Sequence, residues 1–112
     1  VADFYANKGP APVAVAAAGS GQSTATLLQS GVASNVSAAD GTKAVVLPAA
    51  SAGEVVRVYN SVATNGLPIY PPTSGTINGG SANAAITIEG KTFALLECMD
   101  GTNWAAVFTA NS

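Results

Sequence analysis

Ala85-Ile-Thr-Ile-Glu89, then Gly90, then Thr92-Phe-Ala-Leu-Leu-Glu-Cys98 is the stretch on which the fold turns. Two runs rich in β-branched, aromatic and aliphatic residues flank a Glu89-Gly90 turn, and they read as a compact hairpin. In the second run Phe93 and Leu95 fall on one face, Ala94 and Leu96 on the other. Both faces are apolar. That marks a central strand, or a strand set against a partner.

The same signals recur on either side. Asp100-Gly101 turns into Asn103-Trp-Ala-Ala-Val-Phe108. Lys43-Ala-Val-Val-Leu47 follows Asp40-Gly41 and stops at Pro48. Glu54-Val-Val-Arg-Val-Tyr-Asn60 alternates, with Val56 and Val58 on one side and Val55, Arg57 and Tyr59 on the other. Asn65-Gly66 is a turn pair. Leu67-Pro-Ile-Tyr70 is strand-like, but Pro68 lacks an amide hydrogen, which predicts an edge or irregular strand. Ala25-Thr-Leu-Leu28 adds a strand in the first third. Val13-Ala-Val-Ala-Ala-Ala18 and Ser34-Asn-Val-Ser-Ala-Ala39 come closest to helix, but runs so short are marginal alone. About six or seven short strands joined by tight turns predict an all-β fold, a small antiparallel β-sandwich or barrel, with a jelly roll sharing the same pattern. Residues 1–18 read as an extended N-terminal arm and 19–112 as the β-domain.

Composition restricts function more than it restricts fold. Charged residues make up 9% of the chain, against about 25% in ordinary globular domains. A surface so poor in charge predicts burial against other subunits in a homo-oligomer. Net charge is −2 and the cations are scattered, so no nucleic-acid footprint exists. No apolar run approaches the roughly 20 residues of a membrane-spanning helix. Cys98 is the only cysteine, which rules out an intrachain disulfide.

The same scarcity bears on chemistry. With no histidine, the usual nucleophile–base designs lack their base, and a zinc site lacks its ligands. Cys98 ends an apolar strand and reads as a small buried hydrophobe. Asp40-Gly-Thr42 and Asp100-Gly-Thr102 offer carboxylates for calcium, yet the ordinary turn into a strand explains them better. Glu54, Glu89 and Glu97 show no spacing that pairs two of them. Gly19-Ser-Gly21 reads as linker, and Asn35-Val-Ser37 fits a glycosylation triplet. Tyr59, Tyr70 and Trp104 could form a sugar platform, although a tryptophan at this position more often closes a β-core. No catalytic residue, cofactor or metal is expected, and the chain reads as a non-enzyme.

From Gly41 to Trp104 the order Val45-Val-Leu-Pro-Ala-Ala50, Gly53, Val56–Asn60, Leu67-Pro-Ile-Tyr-Pro71, Gly75, Ile77-Asn-Gly79, Ile86–Ile88, Gly90 and Trp104 resembles a small β-domain of tailed-bacteriophage structural proteins. These include head decoration (cement) proteins, head fibres and tail-fibre segments. The resemblance covers a little over half the chain. It implies a bacteriophage virion structural protein, a capsid decoration subunit on the capsid exterior. Its partners would be the major capsid protein or other virion subunits, and its favoured assembly a homotrimer. The alternative it carries is a carbohydrate- or surface-binding module of a head or tail fibre. The residues expected at the interface are Phe4, Tyr5, Val13 and Val15 in the arm, with Phe93 and Leu95 on the apolar strand face. Deleting residues 1–18 is expected to abolish capsid binding and leave the β-domain folded.

Overall fold

The structure, a computed structural model, describes residues 11–109. It contains ten strands: β1 (Val13–Ala16), β2 (Thr26–Leu27), β3 (Ala33–Ser37), β4 (Val45–Val46), β5 (Val55–Asn60), β6 (Leu67–Tyr70), β7 (Thr76–Ile77), β8 (Ile86–Ile88), β9 (Phe93–Cys98) and β10 (Asn103–Phe108). The fold is all-β, but it is a parallel β-solenoid of about four turns. The expected sandwich or barrel is thereby overturned.

The winding follows from the pairing. Consecutive strands β1 to β6 alternate between two sheets, ordered β1-β3-β5-β9-β10-β7 and β2-β4-β6-β8. Parallel neighbours need a long connection between them, and here the rest of a turn supplies it. Val13 pairs with Ser34, 21 residues on, and Ser34 with Val58, 24 on. In the smaller sheet Thr26 pairs with Val45, 19 on, and Val45 with Ile69, 24 on. Three turns therefore stack in parallel.

The fourth turn runs backwards. After β6, Pro71 and Pro72 end the strand, and β7 is laid at the far edge of the larger sheet beside β10. The chain then returns: β8 pairs antiparallel with β6, and β9 pairs antiparallel with β5. β8 and β9 thus belong to different sheets, so the hairpin expected at Glu89-Gly90 is a solenoid corner. Gly90 is buried against the third turn's corner, where a Cβ would fall 2.5 Å from the Val62 carbonyl oxygen. The hairpin of this region is one step later, where β9 and β10 join through Asp100-Gly101 and pair Cys98 with Trp104.

β6 is not an edge strand. It lies between β4 and β8, and Pro68 is tolerated because the β4 ladder begins at Val45–Ile69, one residue past it. On its other side Pro68 sits between the Leu67–Ile88 and Ile69–Ile86 pairs, where alternating antiparallel bonds need not use its nitrogen. The two alanine-rich stretches closest to helix hold β1 and all but the first residue of β3, and β1, within the stretch read as an arm, is the first strand of the solenoid.

The core lies between the sheets. Val36, Val56, Val58, Ala94, Leu96, Cys98, Trp104 and Ala106 face inward from the larger sheet, and Val45, Leu67, Ile69 and Ile88 from the smaller. Leu28 and Leu47 fill the corners beyond β2 and β4. Each fully buried aliphatic side chain contributes about 1.5–3 kcal/mol. Ser34, Asn60 and Thr92 are the buried polar residues among those described, and Asn60 is fully buried at the end of β5. Its Nδ2 donates to the Asn65 carbonyl at 2.8 Å and the Glu89 carbonyl at 3.3 Å, and its Oδ1 accepts from Val62 N–H at 3.1 Å. One side chain thus ties the corner of the third turn to that of the reversed fourth.

Candidate functional site

The pleat that buries Val56, Ala94 and Trp104 turns their sequence neighbours outward. On the outer face of the larger sheet these form three cross-strand rows. Ala14, Asn35, Tyr59 and Phe93 make the first; Ala33, Arg57, Leu95 and Val107 the second; Val55, Glu97 and Ala105 the third. Leu95 is 37% exposed and Val107 66%, while Tyr59 and Phe93 are half-buried. Pro12, Ala33, Asn35, Tyr59 and Phe93 border an apolar hollow of about 290 Å³ at one end of this face. Arg57 and Glu97 are its two charges. Arg57 donates to the Gly31 carbonyl at 3.4 Å, a long bond, and no carboxylate among the described residues forms an ion pair with it.

A second hollow, of about 430 Å³, lies outside the smaller sheet between Leu27, Val46, Pro72, Ser74 and Thr102. Gln22 frames it, donating to the Pro71 carbonyl at 2.7 Å and to Asn83 Oδ1 at 3.1 Å. Ser74 N–H donates to the same Asn83 oxygen at 2.7 Å. No ionisable residue borders this hollow. Its lining therefore supplies no acid or base.

Asp40 and Asp100 both close turns. Asp40 Oδ1 accepts from Thr42 Oγ1 at 2.7 Å, Thr42 N at 2.9 Å and Lys43 N at 3.0 Å. The Thr42 hydroxyl, followed by those two amides, lowers the Asp40 pKa to about 2. Asp100 is lowered in the same way, first by the Asn103 side chain and then by the amides of Asn103 and Thr102. The likeness of Asp40-Gly-Thr42 and Asp100-Gly-Thr102 is therefore one turn chemistry used twice, with the carboxylate satisfied by its own loop. No group of three or more His, Cys, Asp or Glu side chains suited to a metal forms among the described residues.

The other singled-out residues are dispersed. Trp104 is 1% exposed and fills the core, so it offers no face to a sugar; Tyr59 and Tyr70 are half-buried on different sheets. Cys98 is buried. Glu54 precedes β5, Glu89 follows β8 in the corner, and Glu97 lies on the outer face of β9. Of the expected interface residues, Phe4 and Tyr5 lie outside the described residues. Val13 and Val15 are half-buried on β1, with Val15 packed on the core. Phe93 and Leu95 share the outer face, and the structure adds Arg57, Tyr59 and Val107 to them. Alternation had already put Arg57 and Tyr59 on one side of β5; the register against β9 was the missing signal. No family model matches the chain, and no curated protein matches it by sequence.

Proposed function

We propose that this chain is a non-enzymatic structural subunit of a tailed-phage virion, a decoration protein that binds the outside of the shell and stabilises it through oligomer and lattice contacts. The observation that carries the reading is the outer sheet face: Tyr59, Phe93, Leu95 and Val107 lie together on it with only two charges beside them. Apolar area covered on association stabilises by about 25 cal/mol per Å² before the costs of ordering. Repetition over a lattice multiplies a weak contact through avidity. The virion setting itself rests on the resemblance between Gly41 and Trp104.

The test is co-sedimentation with shells of the phage that encodes the chain, followed by imaging. Saturable binding on the exterior, with shells that rupture at higher temperature when decorated, supports the proposal. Absence of binding at saturating concentration overturns it. The arm deletion is best made at residues 1–10, because removing 1–18 also removes β1 and the Ala18–Ala44 bridge. That truncation is expected to fold and to bind shells more weakly.

A further inference from the structure

We infer that the outer face of the larger sheet is a self-association surface, and that its partner is a second copy of this chain related by a twofold axis. The inference names the partner for the face used above, proposes a twofold dimer where the resemblance implies a homotrimer, and rests on that reading only in expecting the face to be covered.

The charges select the partner. Arg57 sits opposite Leu95, and Glu97 lies two residues further along β9 on the same face. The two are diagonal neighbours, at about 7–8 Å between Cα atoms. They form no ion pair with each other. An axis lying between two such faces, along the Val55–Leu95 diagonal, exchanges the two corners. It brings Arg57 over the partner's Glu97, and Glu97 over the partner's Arg57. A face carrying one cation and one anion in this arrangement is self-complementary, as an isologous interface requires. A uniformly acidic or basic partner would leave one of the two charges facing its like.

The apolar residues fall into place under the same rotation. Leu95 lies on the axis and stacks on the partner's Leu95. Val107 comes over the partner's Phe93. The residues matched by the rotation lie on three adjacent strands, β5, β9 and β10. Two gaps of about 4.8 Å and six residues at about 3.3 Å give a contact of roughly 10 by 20 Å. That is well below the roughly 800 Å² per partner of a standard stable interface. The dimer is accordingly weak in isolation, and its association is concentration-dependent.

The test is sedimentation equilibrium of the whole chain from micromolar to millimolar concentration. The wild type is expected to pass reversibly from monomer to dimer. Leu95→Lys and Val107→Lys, at exposed outward positions, are each expected to weaken dimerisation at least roughly tenfold. Arg57→Glu alone and Glu97→Arg alone weaken it, and the double exchange restores it, because each new pair is again opposite in sign. Mixing the Arg57→Glu and Glu97→Arg variants is likewise expected to restore association, a rescue that a role of these charges within one chain would not give. Far-UV circular dichroism checks the fold of each variant, and Leu95→Ser with Val107→Ser replaces any lysine variant that does not fold. A wild type monomeric throughout, an oligomer indifferent to Leu95 and Val107, or a double exchange no better than the singles overturns the inference. A dimer that binds no shell sinks the decoration reading and leaves this one standing; a monomer that decorates shells does the reverse.

Discussion

Replacing Asn60 removes a fully buried side chain whose hydrogen bonds link the parallel third turn to the reversed fourth. In Asn60→Ala the 2.8 Å bond to the Asn65 carbonyl, the 3.1 Å bond from Val62 N–H and the 3.3 Å bond to the Glu89 carbonyl all go. Net hydrogen-bond contributions are about 0.5–1.5 kcal/mol each, and a stranded buried group adds its desolvation cost, so the expected loss is about 3 kcal/mol. Asn60→Asp is nearly isosteric but more harmful. It turns a donor into an acceptor facing carbonyl oxygens and buries a charge, for about 4–5 kcal/mol. Urea unfolding followed by Trp104, the only tryptophan and a core residue, reads both variants. Hydrogen exchange should show β8 and β9 opening before β3 and β5. An alanine variant within about 0.5 kcal/mol of wild type, or an aspartate variant more stable than the alanine one, refutes the linking role.

Gly90→Ala should cost more than about 2 kcal/mol, because the added Cβ meets the backbone of Val62 and Ala63, which cannot yield as a side chain tip does. Gly41→Ala, where the space is open but φ is +91°, should cost about 1 kcal/mol, and thermal melts of the pair separate a clash from a conformational penalty. Asp40 has a folded pKa of about 2, below its ordinary value of 3.8. Its contribution is therefore fully present above about pH 4 and fades as pH falls toward 2; melts of wild type and Asp40→Asn should converge over that window. Trp104→Ala should cost about 3–5 kcal/mol by leaving a core cavity, whereas a carbohydrate role for this residue would require a folded variant that loses only glycan binding.

Strands were legible wherever a segment declares itself locally. β5 alternates valine with larger or polar residues, and the burial of Val56 and Val58 follows that alternation. β9 and β10 are equally plain, and Asp100-Gly101 does join them as a hairpin. β3 was not legible, because alanine, serine and asparagine have no strand preference of their own, and the Val13-Ala-Val-Ala16 alternation of β1 was hidden by the alanines around it. Their strand state comes from neighbours a full turn away. Winding was illegible for a related reason. Spacings of 19, 21 and 24 residues show no fixed period, so no repeat appears in the sequence. A Gly-centred turn between two apolar runs serves a hairpin and a solenoid corner equally well. What decides for the corner is Gly90 fitting against Val62 and Ala63, a contact nearly thirty residues apart in sequence. The candidate face was half legible: Phe93 and Leu95 were seen on one apolar face, but the pairing of Arg57 with Leu95, and of Leu95 with Val107, needed the fold.

Interstrand nuclear Overhauser contacts across the Glu89–Thr92 corner test the winding most directly. The solenoid predicts backbone contacts of Ile88 with Leu67, of Phe93 with Tyr59, and of Ser34 with Val58 in a parallel pattern. A ladder joining Ile86–Ile88 to Phe93–Leu95, with those contacts missing, would contradict it and return the chain to a hairpin-built sandwich.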